Sequence, residues 1–404
     1  MTDVHPQKPL NAADWAPPAA DIARVGRRAL AVGAVFAAAS AAGFVANPVQ
    51  FYRSYLVAFC LVLGVALGSL AIQALHHMTG GAWGLVIRRI LEASSRTLPL
   101  VALFAVPLLF GLRHVYPWAD PARVATDEIL HHRAAYMNPT GVILRLALCF
   151  AVWTAFALAL SRLSKKQDDA PFAGLERRMQ LVAAPALAIY CLLISVAAID
   201  LLMSTDPHWY SAIYGIYVVG GQAISGMAFT LVAALFLAKR EPFRAAVQQR
   251  HVHDWGKLLF AFTMLWAYFS VSQLIIIWSG DLPEEITFYK ARVTGGWLAV
   301  SLALALFQFV VPFVFLLSAN FKKNLGRLSA IAALLLFMRG VDLFWLVAPA
   351  WHPEGLSIHW LDAALPAALF GLWLAVFARE LARRPLLPVN DPALPAAMEV
   401  HAHG

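Results

Sequence analysis

The sequence predicts an all-α integral membrane protein with ten transmembrane helices, and three observations lead there. Of its 404 residues, 61% are hydrophobic and only 13% are charged, whereas a soluble chain carries roughly 25% charged residues and needs them to cover its surface. Ten apolar stretches each approach the ~20 residues that a helix needs to cross a hydrocarbon core about 30 Å thick. Lysine and arginine then collect in alternate loops, as they do when one side of a membrane is the cytoplasm. A large soluble catalytic domain is excluded.

The spans are read at 29–46, 54–75, 97–112, 141–161, 178–202, 211–238, 254–278, 293–318, 325–347 and 359–378. Each is taken as a helix because in lipid a span must satisfy its own backbone polar groups. The first is rich in alanine and glycine. The third is short and carries Pro99 and Pro107, so it is expected to kink and to extend backwards. Just before it, Trp83, Val86, Ile87, Ile90 and Leu91 recur at helical spacing opposite Arg88, Arg89, Glu92 and Arg96. That pattern suits either a helix lying in the cytoplasmic interface or the wet leading end of a long third helix. Residues 1–28 have no apolar run directly after their start and read as a retained cytoplasmic tail. The proline-punctuated tail 385–404 is expected to lack order without a partner.

Basic residues orient the bundle. One set of segments holds Lys8, Arg24, Arg27 and Arg28; Arg88, Arg89 and Arg96; Arg162, Lys165, Lys166, Arg177 and Arg178; Lys239, Arg240, Arg244, Arg250 and Lys257; Lys322, Lys323 and Arg327; and Arg379, Arg383 and Arg384. The other side has only Arg53, Arg113, Arg123, Arg133, Lys290 and Arg292. Both termini are therefore expected in the cytoplasm. The net charge of +8 reads as a topology signal with some attraction to anionic lipids, and not as nucleic-acid binding. Trp83, Trp118, Trp209, Trp255, Trp278, Trp351 and Trp360 fall near span ends, as an interfacial belt requires.

Redox-centre chemistry finds no ligand pattern. Cys60, Cys149 and Cys191 lie inside apolar stretches and form no CxxC, CxxCH or cluster, which argues against iron-sulfur, c-type haem and zinc-thiolate sites. All thirteen histidines fall in tails, loops or span ends, which argues against haem held between facing helices. No Walker A loop, GxSxG, HExxH or GxGxxG occurs in a supporting context. Electrons, if they are handled, are expected to travel on a diffusible carrier or on partner subunits.

Ionisable residues in spans are costly and are the default functional candidates. Arg145 opens the fourth span, Asp200 closes the fifth, Arg339 and Asp342 close the ninth and Asp362 opens the tenth, all toward the non-cytoplasmic side, with Asp206 and His208 in the loop after Asp200. They suit either mutual neutralisation as structural ion pairs or binding of a quinone head and proton relay. On the cytoplasmic side Asp254, Lys257, Tyr268 and Ser272 share one helical face, which suits a water chain or two interfacial charges beside a packed tyrosine. Tyr214, Tyr217, Gly221 and Ser225 share another face, which suits close helix packing or a site.

Four segments carry a family resemblance: DLLMSTDPHWYSAIYGIYVVGGQ from Asp200, HDWGKLLFAFTMLWAYFSVSQLIIIWSGDLPEEITFYKARVTGGW from His253, MRGVDLFWLVAPAW from Met338 and HHMTGGAWGLVIRRILEASSRTLPL from His76. They resemble the F subunit of bacterial alternative complex III (ActF), related to the NrfD and polysulfide reductase membrane-subunit family, over about residues 70 to 350. The resemblance implies two tandem four-helix bundles, about 54–202 and 211–347, with peripheral helices at 29–46 and 359–378. It implies a cofactor-free inner-membrane subunit of a bacterial quinol:cytochrome c or other electron-acceptor oxidoreductase, scaffolding the complex and carrying protons. The partners implied are a multihaem cytochrome, a monohaem cytochrome, an iron-sulfur subunit, the homologous C subunit, lipids and a terminal oxidase. The alternatives are a subunit with its own menaquinone or ubiquinone pocket near Arg145, Asp200 and His208, or a proton-coupled transporter using Pro107, Pro185, Pro312 and Pro366 to break its spans.

Overall fold

Apolar runs with no internal water to bond must close their hydrogen bonds locally, and the chain does so as helices throughout. The computed structural model describes residues 12–169 and 174–398; the first eleven residues, and His401 and His403 of the tail, lie outside the described residues. The described residues include ten helices long and apolar enough to cross a membrane, and no strand. They are α1 (Ala19–Ala46), α2 (Pro48–Thr79), α3 (Ala82–Phe110), α4 (Pro139–Asp169), α5 (Leu175–Leu201), α6 (Tyr214–Ala238), α7 (Gln249–Gly280), α8 (Trp297–Leu317), α9 (Leu325–Trp351) and α10 (Leu361–Leu381). The chain is an all-α, multi-pass membrane protein.

Neighbour contacts close α2, α3, α4 and α5 into one ring and α6, α7, α8 and α9 into another. The helices from the two chain ends meet: α1 lies along α10, and α10 packs on α2. Helix α2 is buried over nearly its whole length because it also faces α6 and α9 across the seam between the rings. Small residues set that seam. Gly68 on α2 and Gly226 on α6 bring backbone against backbone, so a Cβ on Gly68 would stand 1.9 Å from the Gln222 carbonyl oxygen. Without a hydrophobic force between helices in lipid, such close approach is a main source of association.

The end where the basic residues collect departs from the sequence reading. Residues Ala82–Ser95 form the leading end of the third span, Ala82–Phe110, but that end is not wet: from Leu85 to Ser95 every residue is buried. Their arginines are matched by carboxylates from distant segments. Arg88 pairs with Glu92 at 3.0 Å and with Asp391 at 2.9 Å, Arg89 with Glu92 at 2.7 Å and with Asp168, and Arg96 with Glu380 at 2.9 Å. Arg384 reaches Glu92 at 3.4 Å, and Ser164 donates to Glu92 at 2.6 Å. Arg88, Arg89, Arg96 and Arg384 thus balance Glu92, Asp168, Asp391 and Glu380 one for one, which is the condition for burying charge at tolerable cost.

The tail expected to lack order is packed as far as it is described. Leu386, Leu387 and Leu394 are buried, the Leu386 N–H donates to the Trp15 carbonyl at 2.9 Å, and Gln248 and Arg250 of α7 donate to the carbonyls of Met398 and Ala397 at 2.8 and 2.7 Å. The tryptophan belt is also partial. Trp278 and Trp360 are exposed, whereas Trp118, Trp209 and Trp255 are packed inside. The Trp255 indole donates to the Trp83 carbonyl at 2.7 Å, tying α7 to the start of α3.

Candidate functional site

The outer ionisable residues do not form one cluster. Arg145 of α4 and Asp200 of α5 make a bidentate pair at 2.8 and 2.9 Å within the first ring. Arg145 also stacks over Tyr136, 3.9 Å from the ring centroid. Asp362 has other partners: it accepts from Gln50 at 3.0 Å and from the His359 N–H at 2.8 Å. Asp206 and His208 stay in the surface loop, where His208 is 52% exposed and sits 2.8 Å from Asp127. Asp127 caps the helix Glu128–Arg133, and the Leu130 N–H, followed by His208, holds its carboxyl below the usual carboxylate range. Arg145 and Asp200 are thus paired with each other, whereas His208 is paired with Asp127.

The residues expected to form a cytoplasmic-side path share one face of α7, and that face points outward. Asp254 pairs with Lys257 at 3.1 Å on the surface, and Tyr268 is 66% exposed on the outside of α7. Ser272 is half-buried on the same side. The opposite face of α7 is the interior one, and it presents Trp255, Thr263, Trp266 and Gln273.

Arg339 and Asp342 require a correction of position along their helix. The sequence reading put them at the end of the ninth span, but α9 continues to Trp351, so they lie near its middle and both are almost fully buried. The helix continues because Pro349, which has no N–H to give the Trp345 carbonyl, is compensated from outside. Arg292 donates to the carbonyls of Trp345 at 3.1 Å, Leu346 at 2.7 Å and Phe288 at 2.7 Å, and its guanidinium lies 3.3 Å from the Phe288 ring centroid. Burial pushes the Arg292 pKa down to about 10, so it remains charged at neutral pH.

Asp342 is the hub of the second ring. Arg339, one turn earlier, contacts it directly. The Tyr217 hydroxyl of α6 donates at 2.7 Å, the Trp266 indole of α7 at 3.2 Å and the Gln308 amide of α8 at 3.4 Å. Every helix of the ring thus contributes to one carboxylate, which is how a charge buried within an apolar span is made tolerable. Gln308 lies in a π-helical turn, Ala305–Val310, and such turns are frequent at functional sites. Gly221 makes room for Arg339, since a Cβ there would stand 2.3 Å from the guanidinium carbon. Of the face Tyr214, Tyr217, Gly221 and Ser225, then, Tyr217 and Gly221 belong to the site.

Sequence reading missed Trp266, Gln308 and Arg292. Trp266 carried a usable signal, because on α7 it lies across the helix from Tyr268 and inherits the interior face. Beside Asp342 is a cavity of about 280 Å³ whose walls include Trp266, Phe309 and Trp345. Among the described residues no group of histidine, cysteine, aspartate and glutamate is arranged to hold a metal ion. Compared with known proteins, the chain matches no family model and no curated protein.

Proposed function

We propose that this protein is a membrane subunit of a bacterial quinol:electron-acceptor oxidoreductase of the alternative complex III type, seated in the inner membrane with its basic end in the cytoplasm. Its role is to scaffold the complex, while cytochrome and iron-sulfur partners carry the redox centres. One observation carries the reading. The segments that resemble the F subunit, from Asp200, His253 and Met338, supply Tyr217, Trp266 and the Arg339–Asp342 pair, so the resembling residues are also the ones that build the polar centre of the second ring. Isolation in a mild detergent tests it. Haem absorbance from co-purifying partners is the expected result, and a chain that runs alone or as a homo-oligomer would instead favour a transporter.

A second element of the reading is proton carriage, favoured by the buried, fully ligated carboxylate near the middle of α9. Asp342→Asn keeps the shape but removes the charge. It is expected to lower the number of protons moved per electron while the electron-transfer rate stays close to wild type. An unchanged stoichiometry leaves the scaffold role alone.

A further inference from the structure

The cavity beside Asp342 is polar in its residues but apolar in what it offers a ligand. Tyr217 and Trp266 have given their hydrogens to Asp342. The Trp345 indole donates to Ser301 at 2.8 Å, the Ser301 hydroxyl donates on to the Arg292 carbonyl at 3.0 Å, and the Arg292 guanidinium is committed to three carbonyls. What faces the space is then mainly ring faces and aliphatic carbon, from Trp266, Leu304, Phe309 and Trp345, beside the hydroxyl residues Ser270 and Tyr289. A polar head placed there would displace bonds already made, whereas a hydrocarbon chain would bury apolar surface without disturbing them.

The position of the mouth says where such a chain comes from. Val271, Leu274 and Val293 line the cavity and are each more than 40% exposed on the lipid-facing side between α7 and α8. Lys290, exposed and in no ion pair among the described residues, stands between the lining residues Tyr289 and Arg292 at the end opposite the basic one. Glu284 and Glu285 occupy the far end of that short helix, Pro283–Ala291.

We propose that this cavity is a structural lipid site: it takes one acyl chain of a membrane phospholipid whose phosphate is held at the interface by Lys290. The chain seals the wall of the second ring and keeps lipid-side water from Asp342. An empty apolar cavity of this size would forfeit dispersion contacts on every side, and an acyl chain restores them.

The test uses the purified protein with whatever subunits accompany it, in a mild detergent, with native mass spectrometry to count retained lipids. Wild type is expected to hold one phospholipid that Ala267→Phe, which fills the cavity, loses by about tenfold in occupancy, the loss that a difference of about 1.4 kcal/mol gives. Lys290→Glu is expected to weaken retention in the same direction. If the filled variant does not fold, a photoreactive acyl-chain phosphatidylethanolamine in phosphatidylethanolamine and phosphatidylglycerol vesicles reports on the wild type directly. Label concentrated on residues 270–274 and 293–309 supports the site. Label spread evenly over the lipid-facing helices overturns it, as does a quinone retained in place of the phospholipid, or equal phospholipid retention by wild type and Ala267→Phe.

Discussion

Glu92→Ala is expected to cost about 3–5 kcal/mol of stability, the range found when one partner of a buried ion pair is removed and the others stay. Glu92 has no exposed surface and is contacted by Arg88, Arg89 and Arg384. Its loss leaves those guanidiniums facing one another in a low-dielectric interior, where repulsion is weakly screened. The measurement is the thermal midpoint of the detergent-solubilised protein, read by loss of the monodisperse peak. Two controls separate this cause from simple loss of packing. Glu92→Ala combined with Arg384→Ala restores the charge balance and is expected to recover part of the midpoint. The loss should also be equal at low and high salt, because mobile ions do not reach residues this buried. A midpoint unchanged by Glu92→Ala would show that the cluster is not the fastening of α3, α4, α10 and the tail that its contacts describe.

The spans were legible because one length scale governs them: a helix must stay apolar for the thickness of the hydrocarbon core, and each of the ten does. Partnership was not legible in the same way. Arg88 and Asp391 are 303 residues apart, and nothing local to either identifies the other. An amphipathic pattern such as 83–96 states that one face is polar, but not whether that face meets water or a set of carboxylates. The stripe Asp254, Lys257, Tyr268 and Ser272 carried the same ambiguity. Helical phase placed the four on one face correctly, yet phase alone does not say which way a face points, and this one points outward.

Position along a helix was misread at one place for a definable reason. The ninth span reads as ending at 347, and Pro349, two residues on, is a residue that commonly stops a helix. The helix runs on there because Arg292, from a loop more than fifty residues earlier, takes the Trp345 carbonyl that the proline leaves free and also bonds the Leu346 carbonyl beside it. With the helix running on to Trp351, Arg339 and Asp342 stand near its middle rather than at its end, where Asp342 is bonded from every helix of the second ring.

Gly68→Ala is the other substitution with a large expected effect, although it adds one methyl. The new Cβ would lie 1.9 Å from the Gln222 carbonyl oxygen and 3.0 Å from the Gly226 nitrogen, both backbone atoms of α6 that cannot swing aside. The helices must separate, and overpacking of this kind costs 1–3 kcal/mol or more. The strain is not confined to α2. Gln222 accepts the Tyr190 hydroxyl at 2.8 Å and borders the same small void as Arg339, so a displaced α6 also moves Tyr217 and Gly221 against Arg339 and Asp342. Gly64→Ala is the matched control, one turn earlier on the same helix, where the nearest atom to an added Cβ is the Ser225 hydroxyl oxygen at 3.6 Å, an ordinary contact. Gly68→Ala is expected to lower the thermal midpoint and the yield of intact protein sharply while Gly64→Ala leaves both near wild type. If the two alanines behave alike, backbone contact at Gly68 is not what joins the two rings.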